Sequence, residues 1–196
     1  MIRRAVAYFV DWYVVMIVMN IVLVTAAYST TGVMYAGSLP LTFFAPEMQL
    51  PLLLVLICIE VVFYCIIPTF IWSGQTVGKR LLRIKVVEKN GDRAGFARLL
   101  LRDAFGIVLL EGCFSPLSNY MRNYLMLFFA RDVIQYTIWF SWVVGAISVL
   151  ILLFTRGLML HDLIAGTKVM LVHATTEEPG TAEGMKDGCA VDGALE

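Results

Sequence analysis

Three carboxylates stand inside stretches that are otherwise apolar: Asp11, Glu60 and Glu111. Arg4 precedes Asp11 by seven residues. That is about two helical turns, so the two share a helix face roughly 10 Å apart along its axis. A carboxylate in a bilayer-crossing helix costs roughly 2.5–3.5 kcal/mol on insertion scales. Such a group binds a cation, exchanges a proton or pairs with a base. Helical rise puts Asp11 and Glu111 roughly 10–12 Å from the inner boundary and Glu60 nearer the midplane. Acids at staggered depths suit a cation or proton path, with Arg4 as counter-ion to Asp11. The alternative is structural: Arg4 pairs with Asp11, and Glu60 and Glu111 hydrogen-bond across helices as glue.

Other constellations carry less chemistry. His161 and Asp162 are adjacent, so on a helix they point about 100° apart and cannot easily share one ligand. Asp162 is expected to cap local N–H groups or to pair with a basic residue of 79–102. The stretch Gly74 to Arg80 has two glycines and a Lys-Arg pair, but not the spacing of a phosphate loop. It reads as a tight turn with Lys79 and Arg80 against anionic lipid headgroups. Cys58, Cys65 and Cys113 fall in apolar runs and Cys189 stands alone, so they read as small apolar residues. Without a Ser-His-Asp order, a metal signature or a nucleotide motif, the expectation is a protein that is not an enzyme and holds no metal or cofactor.

The elements that position these groups are membrane helices. The chain has 196 residues, 60% of them hydrophobic and 15% charged, with mean hydropathy +0.81. A soluble domain of that size rarely reaches such a value. Zero net charge argues against a nucleic-acid partner. The N-terminal run is too long for a signal peptide and is interrupted by Asp11, so it reads as an uncleaved first span. Helices are expected at about 5–27, 51–72, 99–121 and 133–155, with Pro51 harmless in the first turn of the second. Eight Lys or Arg crowd residues 73–103, whereas 28–49 has none. Basic loops stay in the cytoplasm, so 73–103 and the N-terminus are placed inside. Residues 83–88 read as a strand ended by Asn90-Gly91, and 168–172 as a second. An isolated strand is unstable, so the two should pair on the cytoplasmic side, which requires an even number of crossings. The polar stretch 174–196 reads as a disordered tail.

Three segments in this order resemble the RDD family, named for one arginine and two aspartates. They are Arg4-Ala5-Val6-Ala7-Tyr8-Phe9-Val10-Asp11, then Gly74-Gln75-Thr76-Val77-Gly78-Lys79-Arg80 with Leu81 to Val87, then Leu160-His161-Asp162-Leu163-Ile164-Ala165-Gly166-Thr167. The resemblance covers about residues 3–172 and implies a multi-pass membrane protein with a role in moving an ion or small solute. The combined expectation is an all-α polytopic protein of the inner membrane. It has four transmembrane helices, a small two-stranded cytoplasmic β element and both termini inside. Its function would be transport or exchange of a small cation, with or without proton coupling, by a homo-oligomer in the lipid bilayer. The competing class is a non-catalytic scaffold that docks a protein partner on its cytoplasmic face.

Overall fold

The computed structural model describes residues 2–110, 112, 115–154 and 159–171. Glu111, Cys113, Cys189 and the expected tail at 174–196 lie outside them. Helix α1, Ile2–Thr31, is apolar nearly all round, but one stripe turns inward: Ala7, Asp11, Val15, Met19, Leu23 and Ala27 are buried. The interval of four keeps them on one face. Gly32, at φ +69°, ends the helix in the left-handed conformation.

After a 3₁₀ turn at Leu41–Phe43, α2 runs over Pro46–Val61 and continues as a π-helical segment, Val62–Ile71. Pro68 has no N–H to donate, so the regular ladder fails there and the turns widen. The Trp72 N–H reaches back to the Ile67 carbonyl at 3.0 Å. Val15, Met19 and Leu23 pack with Leu53, Leu56 and Phe63 in one core that also takes Leu117 and Tyr120.

The basic stretch folds beneath this core. Short helix α3, Val77–Leu81, lies against α1 and leads to strand β1, Ile84–Glu88. Strand β2, Thr167–Leu171, pairs with it antiparallel, Ile84 opposite Leu171 and Glu88 opposite Thr167. The two strands expected from sequence therefore do form one sheet. Asn90-Gly91 turns the chain after β1, with Gly91 at φ +99°.

Among the described residues, three helices are long and apolar enough to cross a membrane: Arg3–Thr31, Pro46–Ile71 and Arg131–Ile151. The expected helix at 99–121 is not one continuous helix. It is α4, Phe96–Leu100, running into a π-helical segment, Leu101–Leu110, followed by α5, Pro116–Leu125. Ser115 accepts the Ser118 N–H at 3.3 Å and Pro116 takes the first turn, so a fresh helix starts there. Helix α6, Arg131–Phe154, buries Ile134, Ser141 and Ser148, seven residues apart, and leaves Trp139, Phe140 and Trp142 exposed. Aromatic and aliphatic side chains on that outer face suit a lipid surround. Helix α7, Leu160–Ala165, ends at Gly166 in the left-handed conformation and delivers the chain into β2.

Candidate functional site

Polar side chains collect where α1, α3, α4 with its π segment, and α7 meet. Asp162 sits in the first turn of α7, with no side-chain exposure. Its Oδ2 accepts the Met159 N–H at 3.2 Å, which holds the carboxylate at the helix start. Arg102 Nε donates to Oδ1 at 3.0 Å, and Arg4 Nη2 donates to Oδ2. One carboxylate thus bridges guanidiniums from α1 and the π segment. His161 Nε2 stands 3.1 Å from Arg102 Nη2 and 3.4 Å from Arg4 Nη2. Guanidinium only donates, so this nitrogen accepts and the ring proton belongs on Nδ1. Burial alone would push the Asp162 carboxyl up, but the charge of Arg102, with the charge and hydrogen bond of Arg4, outweighs it and holds it well below the usual carboxylate range.

Close backbone approach makes the packing possible. A Cβ at Gly106 would collide with His161 Cβ, so only glycine lets α7 lie against the π segment. Gly78 plays the same part for α3, where a Cβ would meet the Ala7 carbonyl oxygen of α1.

Asp11 is 1% exposed. Its Oδ1 accepts the Gly78 N–H at 2.7 Å, and its Oδ2 accepts the Thr76 hydroxyl. Lys79, and more weakly Arg102, are the cations that act on it. The sequence placed Arg4 opposite Asp11. In the fold Arg4 is engaged by Asp162 and His161, while α3 supplies the donors to Asp11. An axial offset of about 10 Å is too long for direct contact along α1, and α7 brings Asp162 to Arg4 instead.

Lys79 was expected at the headgroups. It is half-buried and faces Asp11, Asp103, Asp162 and Arg102. Burial, then the repulsion of Arg102, pushes its ammonium down to about 7. Arg80 is exposed and lies over the Trp72 ring at 4.9 Å, an arrangement favourable for a cation at an aromatic face.

Deeper along α2, Glu60 is buried, and Asp103 on the π segment is buried near it. Asp103 and Thr76 are not singled out as site residues in the sequence, and Arg102 enters there only as one of the basic residues of 79–102 expected to pair with Asp162, as it does. Asp103 follows Arg102 immediately and precedes an apolar run, a signal of the same kind as the one that singled out Asp11. Among the described residues no group of three or more His, Cys, Asp or Glu is arranged to hold a metal ion.

No curated protein and no solved structure matches this chain. A family model does, over residues 1–166, which takes in Arg4, Asp11 and Asp162. The chain therefore belongs to the RDD family and is a membrane protein.

Proposed function

We propose that this protein exchanges a small cation for protons across the inner membrane. The observation that carries the reading is a buried polar line. It starts at Arg4, Arg102 and Asp162, passes Asp11, Lys79 and Asp103, and ends at Glu60 among apolar side chains. Asp11 and Glu60 bind charge in this reading, and Lys79 rather than Arg4 is the base that faces Asp11. No step calls for covalent chemistry, so the protein is not an enzyme. Four crossings are few for a complete path, and a homo-oligomer supplies the remainder.

The count of four rests on parity. Strands β1 and β2 share a side because they pair, and α6 crosses between them. One more crossing is needed, and the chain from α4 to α5 supplies it. Its first residue, Phe96, meets Phe70 at the end of α2's π segment. Its last helix shares a core with Leu41 at the opposite end. With 73–103 basic and 28–49 free of Lys and Arg, the sheet end is cytoplasmic. A cysteine placed at Asn90, in a chain stripped of its four native cysteines, should resist an impermeant thiol reagent applied from outside. Labelling there would invert the topology.

The test of function is reconstitution into liposomes with a pH-sensitive dye inside. Addition of sodium or potassium should change the internal pH, and no response to any alkali cation would remove the transport reading. A second reading, a membrane scaffold that docks a protein partner, draws on a different observation. The signature charges Arg4 and Asp162 satisfy one another, as structural ties would. Pull-down of a defined partner from membranes by a silent transporter would favour it.

A further inference from the structure

Among the described residues, Glu60 Oε2 and Asp103 Oδ1 are buried and have no hydrogen-bond partner. Both side chains are more than nine-tenths buried, at 3% and 5% exposure. A buried carboxylate oxygen left without a donor is costly unless a proton or cation fills the gap.

The fold sets the pair at neighbouring depths. The rings of Phe70 and Phe96 meet with centroids 6.5 Å apart, which aligns the inner ends of the two π-containing helices. Asp103 lies seven residues from Phe96 and Glu60 ten from Phe70. Those are rises of roughly 10 and 15 Å at α-helical pitch, and the wider π turns shorten both. The carboxylates act on each other electrostatically, and Tyr64 and Cys65 lie within the field of both. Lys79 and Arg102 face Asp103 from the cytoplasmic end.

We propose that Glu60 and Asp103 form one exchange site that holds either a shared proton or a single alkali cation. Oxygen donors select hard cations. The charge favours a monovalent one, because Arg102 and Lys79 already offset part of the pair's two negative charges. When the cation enters, one carboxyl O–H breaks, the cation takes the proton's place between the two carboxylates, and one proton leaves for the medium. Lys79 lies on the way out and is able to take up and release protons near neutral pH. Asp11 and Asp162, at the same end, are the other charged groups that act on Lys79 at the exit. Both effects have one sign: as pH rises the competing proton is lost, Lys79 loses its charge, and cation affinity increases.

The site deepens the transport reading, but its chemistry stands apart from transport and so does its test. Purified full-length protein in nanodiscs is titrated with radioactive sodium at constant ionic strength. Saturable binding of one ion per chain is expected at about pH 8, weakening by about tenfold per pH unit downward while one proton competes. Glu60→Gln and Asp103→Asn should each abolish saturable binding. Survival of binding in either folded variant overturns the site, as does a preference for calcium over sodium. Wild-type protein gives a second measurement that needs no variant. Adding sodium should remove a protonated-carboxyl band from its infrared difference spectrum, and an unchanged band also overturns the site. Sodium binding that Glu60→Gln abolishes, in a protein with no flux in liposomes, would keep the site and remove transport. Flux with binding unchanged in Glu60→Gln would do the reverse.

Discussion

Replacing Asp162 by alanine should destabilise the folded protein by about 3–5 kcal/mol, the usual cost of breaking a buried ion pair from one side. Asp162 has no side-chain exposure, and Arg102 keeps only 8% and Arg4 16%. Removing the carboxylate strands two guanidiniums against each other and against His161. The loss should read as a fall in monodisperse yield and in detergent melting temperature. Asp162→Asn keeps the shape but not the charge and should recover little. A double-mutant cycle separates the pair from its surroundings: Arg4→Leu with Asp162→Leu should be less harmful than the sum of the single changes, with coupling above about 1 kcal/mol. The same cycle on Arg4→Leu and Asp11→Leu should be nearly additive, and strong coupling there would mean that Arg4 serves Asp11 after all. The pH dependence follows in sign. The Asp162 carboxyl is held below its ordinary range, so its contribution is fully present above about pH 3.9, the unfolded value, and fades only as pH falls through the lower folded value. Melting between pH 7 and pH 5 should therefore not change on account of Asp162.

Much of this architecture is legible in the chain because it rests on local physics. Long apolar runs place α1, α2 together with its π segment, and α6, with each end no more than five residues from that observed. The pairing of β1 with β2 followed from two β-branched segments and the need of each for a partner. Residues 96–125 were harder. The glycines there look like helix breakers, yet Gly106 is there to let His161 lie close, a reason visible only once α7 is in place. Hydropathy windows also assume regular helix, and two π segments depart from it. Among the site residues, Asp11 and Glu60 stood out because charge is expensive among apolar neighbours, and Asp162 because it stands beside His161 in the third of the family-like segments. Their partners were legible only for Asp162, whose expected local N–H and basic residue of 79–102 are the Met159 N–H and Arg102. Arg4 and Asp162 are 158 residues apart, and helix spacing says nothing about which distant element will supply a counter-charge. Lys79 lay in a basic run that is well explained by topology alone, and that sufficient explanation hid its inward role.

Gly78→Ala isolates the other half of the cluster, the docking of α3 onto α1. Gly78 has ordinary negative φ, so alanine is conformationally acceptable and any effect comes from contact alone. The added Cβ would collide with the Ala7 carbonyl oxygen, which is backbone, and would stand 3.1 Å from Asp11 Cγ. Neither neighbour is a flexible side-chain tip, so α3 must shift as a unit. Its shift lengthens the 2.7 Å hydrogen bond from the Gly78 N–H to Asp11 and disturbs the one from Thr76. Overpacking of this kind costs about 1–3 kcal/mol, and the weakened hydrogen bond to a buried carboxylate adds to it. Gly95→Ala is the control, because a Cβ there meets nothing within 4 Å and the backbone is likewise ordinary. The expected result is a clear fall in melting temperature for Gly78→Ala and almost none for Gly95→Ala. If the two variants melt alike, α3 is not seated on α1. The hydrogen bonds to Asp11 would then lose their structural basis, and with them the place of Asp11 in the polar line.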